Sequence, residues 1–121
     1  MPNRKYQAGY RFEKRVNKDV SSMLNSIKDL LYYSIESRGS KGKADIVIGL
    51  FNMRSGGRTW LGIQCKKGFI SKPEMMRCTT AARQENGMFL FFATLDKTKK
   101  QILYNPSIEE WVKTWMTDTI I

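Results

Sequence analysis

Ala44-Asp45-Ile46-Val47-Ile48-Gly49-Leu50-Phe51 is a short apolar run rich in β-branched residues, with one acidic side chain near its start. Beyond it come the polar turn Arg54-Ser55-Gly56-Gly57-Arg58 and the run Thr59-Trp60-Leu61-Gly62-Ile63-Gln64-Cys65-Lys66. Runs of this length bounded by turn residues read as strands, and the glycine-bearing connection reads as a hairpin. In an antiparallel hairpin the start of one strand lies beside the end of the next. Asp45 is therefore expected beside Gln64, Cys65 and Lys66. Side chains alternate along a strand, so Gln64 and Lys66 share a face and Cys65 points away.

Working outward, Phe12, Val16, Val20, Met23, Leu24 and Ile27 recur at spacings of three and four. That pattern predicts an amphipathic helix from about Gln7 to Lys28, after a basic arm over Met1–Tyr6. Leu30–Ile35 reads as a first strand, and Glu36-Ser37-Arg38-Gly39-Ser40-Lys41-Gly42-Lys43 as a loop. After the hairpin, Ser71-Lys72-Pro73-Glu74 has capping-box spacing, with proline in the first turn of a helix running to about Glu85. Met88–Thr94 and Gln101–Tyr104 are two further strands. Asn105-Pro106 starts a last helix with a buried stripe of Ile108, Trp111, Val112 and Trp115. This order predicts one α/β domain over 1–121, a central mixed five-stranded sheet flanked by helices.

Composition narrows the chemistry. The 121 residues carry 21 Lys and Arg against 11 Asp and Glu, a net charge of +10 spread along the whole chain. Such a field attracts polyanions, and its spread argues for a folded basic face. No apolar run approaches the roughly 20 residues that span a bilayer. The N-terminus lacks an apolar signal core, so a cytoplasmic protein that is not secreted is expected. Only two cysteines occur, Cys65 and Cys78, too few for a stapled secreted domain. There is no histidine. That excludes imidazole zinc sites, Ser-His-Asp and Cys-His nucleophiles, and nucleases with a histidine base. Hydrolysis would have to rest on carboxylates, amides, lysine, hydroxyls and a hard metal ion.

The Asp45 carboxylate, the Gln64 amide oxygen and the Cys65 backbone carbonyl are hard oxygen donors of the kind Mg²⁺ takes. Lys66 beside them could orient or deprotonate an attacking water, or balance charge on a phosphorane-like transition state. Singly, an aspartate after a loop is a solvated strand end, and Gln-x-Lys is a polar strand face. Their occurrence together at hairpin-matched positions is what points to chemistry. Glu13 reads either as a fourth member of this group or as a surface glutamate of the first helix.

Asp45, the hairpin and Gln64-Cys65-Lys66 resemble the core of the PD-(D/E)-x-K nuclease superfamily. Gly9-Tyr10-Arg11-Phe12-Glu13 resembles the opening Gly-x-x-x-Glu of the archaeal-type Holliday junction resolvases (Hjc). Ser37-Arg38-Gly39-Ser40, leading to Asp45, resembles their Ser-x-Gly-Ser loop. The resemblance covers about Gly9 to Tyr104. It implies the restriction-endonuclease-like nuclease fold, a two-fold homodimer, and Mg²⁺- or Mn²⁺-dependent cutting of four-way DNA junctions in recombination and repair. It also implies Asp45 and Gln64 as metal ligands, Glu13 at the metal or its water, Lys66 as the catalytic lysine, and Ser40, with Ser37, in the catalytic loop. Cellular and viral forms of such resolvases exist, and the compact chain suits a virus of an archaeon, acting in the host cytoplasm.

The sequence departs from the resolvases at Gln64, where they carry glutamate, and in its longer hairpin. Ile63-Gln64-Cys65-Lys66 looks like the Gln-x-Lys of Mrr-like restriction nucleases, which act on duplex DNA. A neutral amide also leaves open a DNA-binding module that has lost catalysis. Expected phosphate contacts are Arg4, Lys5, Arg11, Lys14, Arg15, Arg38, Lys41, Lys43, Lys67 and Lys72. Arg54 and Arg58 read either as further contacts or as a solvated turn. No membrane partner and no small-molecule substrate are expected.

Overall fold

The computed structural model describes the backbone of residues 4–36 and 44–118 and the side chains of 9–36 and 44–117. Helix α1 spans Arg4–Asn25. Strands β1 (Leu30–Glu36), β2 (Ile46–Asn52) and β3 (Arg58–Cys65) follow, then α2 (Lys72–Ala81), β4 (Phe89–Asp96), β5 (Gln101–Asn105) and α3 (Ile108–Asp118). The strands form one five-stranded mixed sheet in the order β1-β2-β3-β4-β5. Neighbours are antiparallel except β3 and β4, which run parallel through the α2 crossover. The α/β class and the mixed sheet match the sequence reading.

Several boundaries differ from the periodicity: β2 spans Ile46–Asn52 where Ala44–Phe51 is expected, β4 spans Phe89–Asp96 where Met88–Thr94 is expected, and β5 runs on to Asn105. The first helix takes in Arg4–Tyr6, which had read as part of an arm, and ends at Asn25. Strand β1 runs one residue further, to Glu36. The helix opened by Ser71, whose hydroxyl accepts from the Glu74 amide, does not stay α to its end. Its last turn, Ala82–Asn86, is a π-turn closed by Gly87 at a φ of 66°, a conformation that costs glycine nothing.

The larger core lies between one sheet face and the helices α1 and α3. Phe12, Val16, Val20 and Leu24 of α1 meet Ile46, Ile48, Leu50, Leu61, Ile63 and Phe91, closed by Ile108, Val112 and Met116 of α3. Trp111 and Trp115, expected within the α3 stripe, are half-buried at its margin, and Met116 takes the buried place. Asn52 is the one buried polar side chain among the described residues. Its oxygen accepts from the Arg54 and Ser55 amides, which ties the β2–β3 turn to the core.

The opposite face is covered only in part. Helix α2 and its π-turn pack Ile70, Ala82 and Met88 with Leu90 and Phe92 of β4. Leu31, Tyr33 and Ile35 of β1 and Trp60 of β3 stay exposed, Tyr33 by 67%. No helix among the described residues is long and apolar enough to cross a membrane.

Candidate functional site

The site lies at the end of the sheet where β1 and β3 finish and β2 begins. Asp45 occupies the bend just ahead of β2. The β2–β3 register, with Ile46 against Ile63, would set Asp45 against Gln64 if continued. The Asp45 amide donates instead to the Ile63 carbonyl at 2.9 Å, so the ladder closes with an offset. The Asp45 carboxylate accepts from the Cys65 amide at 2.8 Å. The next amide, of Lys66, donates to Ala93 of β4 at 2.9 Å. The hairpin thus makes Asp45 the neighbour of Gln64, Cys65 and Lys66.

The faces of β3 separate as alternation requires. Cys65 packs against the α1–α3 core. Gly62, two residues before Gln64, faces Ala44, Leu90 and Met88 of the other core. Gln64 therefore projects from the α2 face, half-buried, and Lys66 is exposed just past the strand.

Glu13 reaches this end of the sheet from α1. Burial comes first among the causes that push its carboxyl above the usual range, followed by the nearby charges of Asp45 and then Glu36. Burial also raises Asp45, against the opposing effect of the Cys65 amide. The Cys65 thiol is pushed far up, by burial first and then by Asp45, Glu13 and Glu36. The carboxylates of Asp45, at the start of β2, and Glu36, at the end of β1, are thus both close enough to act on Glu13 of α1.

Glu36 is the member that sequence reasoning missed. It had read as the first residue of a polar loop. In the structure it ends β1, in register with Ile46, one residue from Asp45. Its carboxylate accepts from the Asn17 amide at 3.0 Å, and Asn17 in turn accepts from the Ser34 hydroxyl at 2.7 Å. The available signal was alternation. Leu30, Tyr32, Ser34 and Glu36 are the more buried set of β1, and carrying that period one residue further puts Glu36 on the α1 side.

The other expected residues divide by place. Arg11, Lys14 and Arg15 lie on the same half of α1 as Glu13, all exposed, with the Lys14 ammonium 5.0 Å from the Tyr10 ring centre. Lys67 follows Lys66, and Lys72 opens α2; both are exposed. Arg54 and Arg58 belong to the turn at the far end of the hairpin, roughly 20 Å away at the rise of a strand. Arg54 pairs there with Asp29 at 3.3 Å, and Arg58 lies over the Phe51 ring. The hairpin does not bring these two arginines to the Asp45 end. Ser37, Arg38, Ser40, Lys41 and Lys43 lie outside the described residues, as does the arm over Met1–Asn3.

The donor set suits a hard divalent cation: carboxylates, one amide oxygen and a strand-end carbonyl. No group of three or more Asp, Glu, Cys or His side chains among the described residues stands ready-made to hold a metal. Mg²⁺ is compatible with that, since it binds through one or two carboxylates and completes its octahedron with water and substrate oxygens. Comparison with protein-family models, with curated proteins and with solved structures gives no match to this chain.

Proposed function

We propose that this protein is a metal-dependent endonuclease of the PD-(D/E)-x-K fold that cuts branched DNA, with four-way junctions as its preferred substrate. The observation that carries the proposal is the meeting of Glu13 and Asp45, from α1 and the start of β2, beside the Gln64–Lys66 strand end. Burial, and then the neighbouring charges of Asp45 and Glu36, raise the proton affinity of Glu13, and perturbed groups of this kind cluster at functional sites. The +10 charge of the chain supplies the field that draws in a phosphodiester backbone.

Asp45 and Gln64 would hold Mg²⁺ or Mn²⁺, with the Cys65 carbonyl completing the protein's share. The bound ion would supply Lewis acidity at the scissile phosphate and a more acidic water. The Cys65 amide fixes the Asp45 carboxylate in place before any ligand arrives. Glu13, with its raised proton affinity, is suited to take a proton from water at neutral pH. Lys66, exposed at the strand end, faces the side from which substrate would come and offsets the developing negative charge. Ser40 and Ser37 would contact the scissile strand.

A two-fold dimer presents two sites, which matches the two equivalent strands of a junction. Gln64 favours one second reading, an Mrr-like nuclease acting on duplex DNA, since Gln-x-Lys is the pattern of that branch. Incubation with Mg²⁺ and a labelled four-way junction or a matched duplex separates the two. Paired symmetric nicks in the junction alone support resolution, and duplex cutting supports the second reading. Binding without cleavage in both Mg²⁺ and Mn²⁺ would make the chain a DNA-binding module and overturn the enzyme.

A further inference from the structure

The parallel pairing of β3 with β4 places their C-terminal ends side by side, with Cys65 opposite Ala93. Strand β4 then continues past the end of β3 to Asp96, and its turn back into β5 is Lys97-Thr98-Lys99-Lys100, all exposed. The turn therefore overhangs the same end of the sheet as Asp45, Gln64 and Lys66. It separates two open clefts. On the α1 side, Lys100 lines a cleft of about 490 Å³ with Arg15, Lys18 and Asp19. On the α2 side, Lys97 lines one of about 510 Å³ with Lys67 and Phe69.

Two features of the turn fit poorly with mere solvated surface. Lys100 sits at a φ of 53°, the left-handed region where a side chain is strained and glycine or asparagine is the usual occupant. Backbone strain of this kind persists where the surroundings fix it and is a pointer to function. The surroundings do fix it. The Arg15 guanidinium donates to the Lys100 carbonyl at 2.6 Å, and the Asp96 carboxylate accepts from the Thr98 and Lys99 amides at 3.0 and 3.3 Å. The one carboxylate in the α1-side cleft, Asp19, accepts from the Tyr104 hydroxyl at 2.6 Å, which offsets part of its repulsion of an anion.

We infer that the β4–β5 turn, with Arg15 and Lys18 of α1, is a docking element for the DNA sugar-phosphate backbone beside the cutting site. The ligand is a run of phosphodiesters, contacted without base reading. Lysines on a turn held by its own hydrogen bonds can neutralise successive phosphates, and such contacts position a protein on DNA without reading its sequence. The inference rests on the proposed function only for the identity of the polyanion as DNA. It requires no catalysis.

The test is fluorescence anisotropy of labelled four-way junction and duplex DNA, without divalent metal, over a series of salt concentrations. Lys100→Gly removes the charge and the strain together. Its thermal midpoint should equal or exceed that of the wild type, while affinity falls by about threefold to tenfold and the salt slope by about one. The pair Lys97→Gln and Lys99→Gln, which leaves the strained position alone, should lower affinity and slope further. Lys28→Gln removes one exposed charge at the far end of the sheet and should have the smaller effect. If Lys100→Gly and the lysine pair bind no worse than Lys28→Gln at every salt, or the wild type binds no DNA, the docking element is overturned. Failure of the enzyme looks different: the wild type then binds through the turn but cuts nothing in Mg²⁺ or Mn²⁺.

Discussion

The carboxylate of Asp45 accepts a hydrogen bond from the backbone amide of Cys65, 2.8 Å away, where the β2–β3 ladder ends. One side chain therefore does two things: it closes the ladder, and it holds a negative charge at the candidate site. Asparagine keeps an oxygen for the amide and loses the charge. Asp45→Asn should abolish cleavage, leave DNA binding intact, and melt no lower than the wild type at neutral pH. Asp45→Ala also leaves the Cys65 amide without its acceptor, which costs about 1 kcal/mol. Chemical denaturation of both variants separates the charge from the hydrogen bond, and normal cleavage by Asp45→Asn would show the site to lie elsewhere.

Acid should stabilise the fold around this site. Glu13 and Asp45 both hold their protons more tightly in the folded chain than in the unfolded one. The folded state then binds more protons over the window between the ordinary carboxylate values and the raised ones. By linkage, the contribution of these groups to stability falls as pH rises through that window and stays low above it. Glu13→Gln should flatten this part of the stability–pH curve, measured by denaturant melts from about pH 4 to 7. An identical curve would mean that the fold does not raise the proton affinity of Glu13.

Glu36 is expected to act through Glu13. Glu36→Gln keeps an oxygen for the Asn17 amide but removes one of the charges that raise Glu13. The acid limb of the cleavage profile should move to lower pH, with thermal stability little changed. A stationary limb beside a lowered melting point would reduce Glu36 to a strand-end anchor.

Gly62 sets how closely the strand start can approach the sheet. A Cβ built there lies 2.9 Å from the Cβ of Ala44, 3.2 Å from Leu90 and 3.4 Å from Met88. Ala44 cannot swing away as a long side chain would, and it is bonded to Asp45. Gly62→Ala should cost about 1–3 kcal/mol by overpacking. Cleavage should fall by more than this loss of folded protein explains, because the bend carrying Asp45 must shift. Single-turnover rates on folded material test the second half of that expectation.

The elements were legible in the sequence because their signals are local. The three-and-four spacing of Phe12, Val16, Val20 and Leu24 requires one buried helix face, and Ser71 with Glu74 marks a helix start whatever surrounds it. The nearness of Asp45 to Gln64 and Lys66 was equally legible, since a hairpin fixes which ends of two consecutive strands meet. Glu36 and the lysine turn were not. Glu36 belongs to the site only because α1 packs over the end of β1, and that depends on contacts between distant parts of the chain. Lys97–Lys100 overhangs Asp45 only because the α2 crossover makes β4 parallel to β3, and Arg54 and Arg58 sit far off because the same hairpin turns at its other end. Side-chain period is a property of a segment. Which segment ends share a corner is decided by burial of their apolar faces against one another, and only the packed sheet records that outcome.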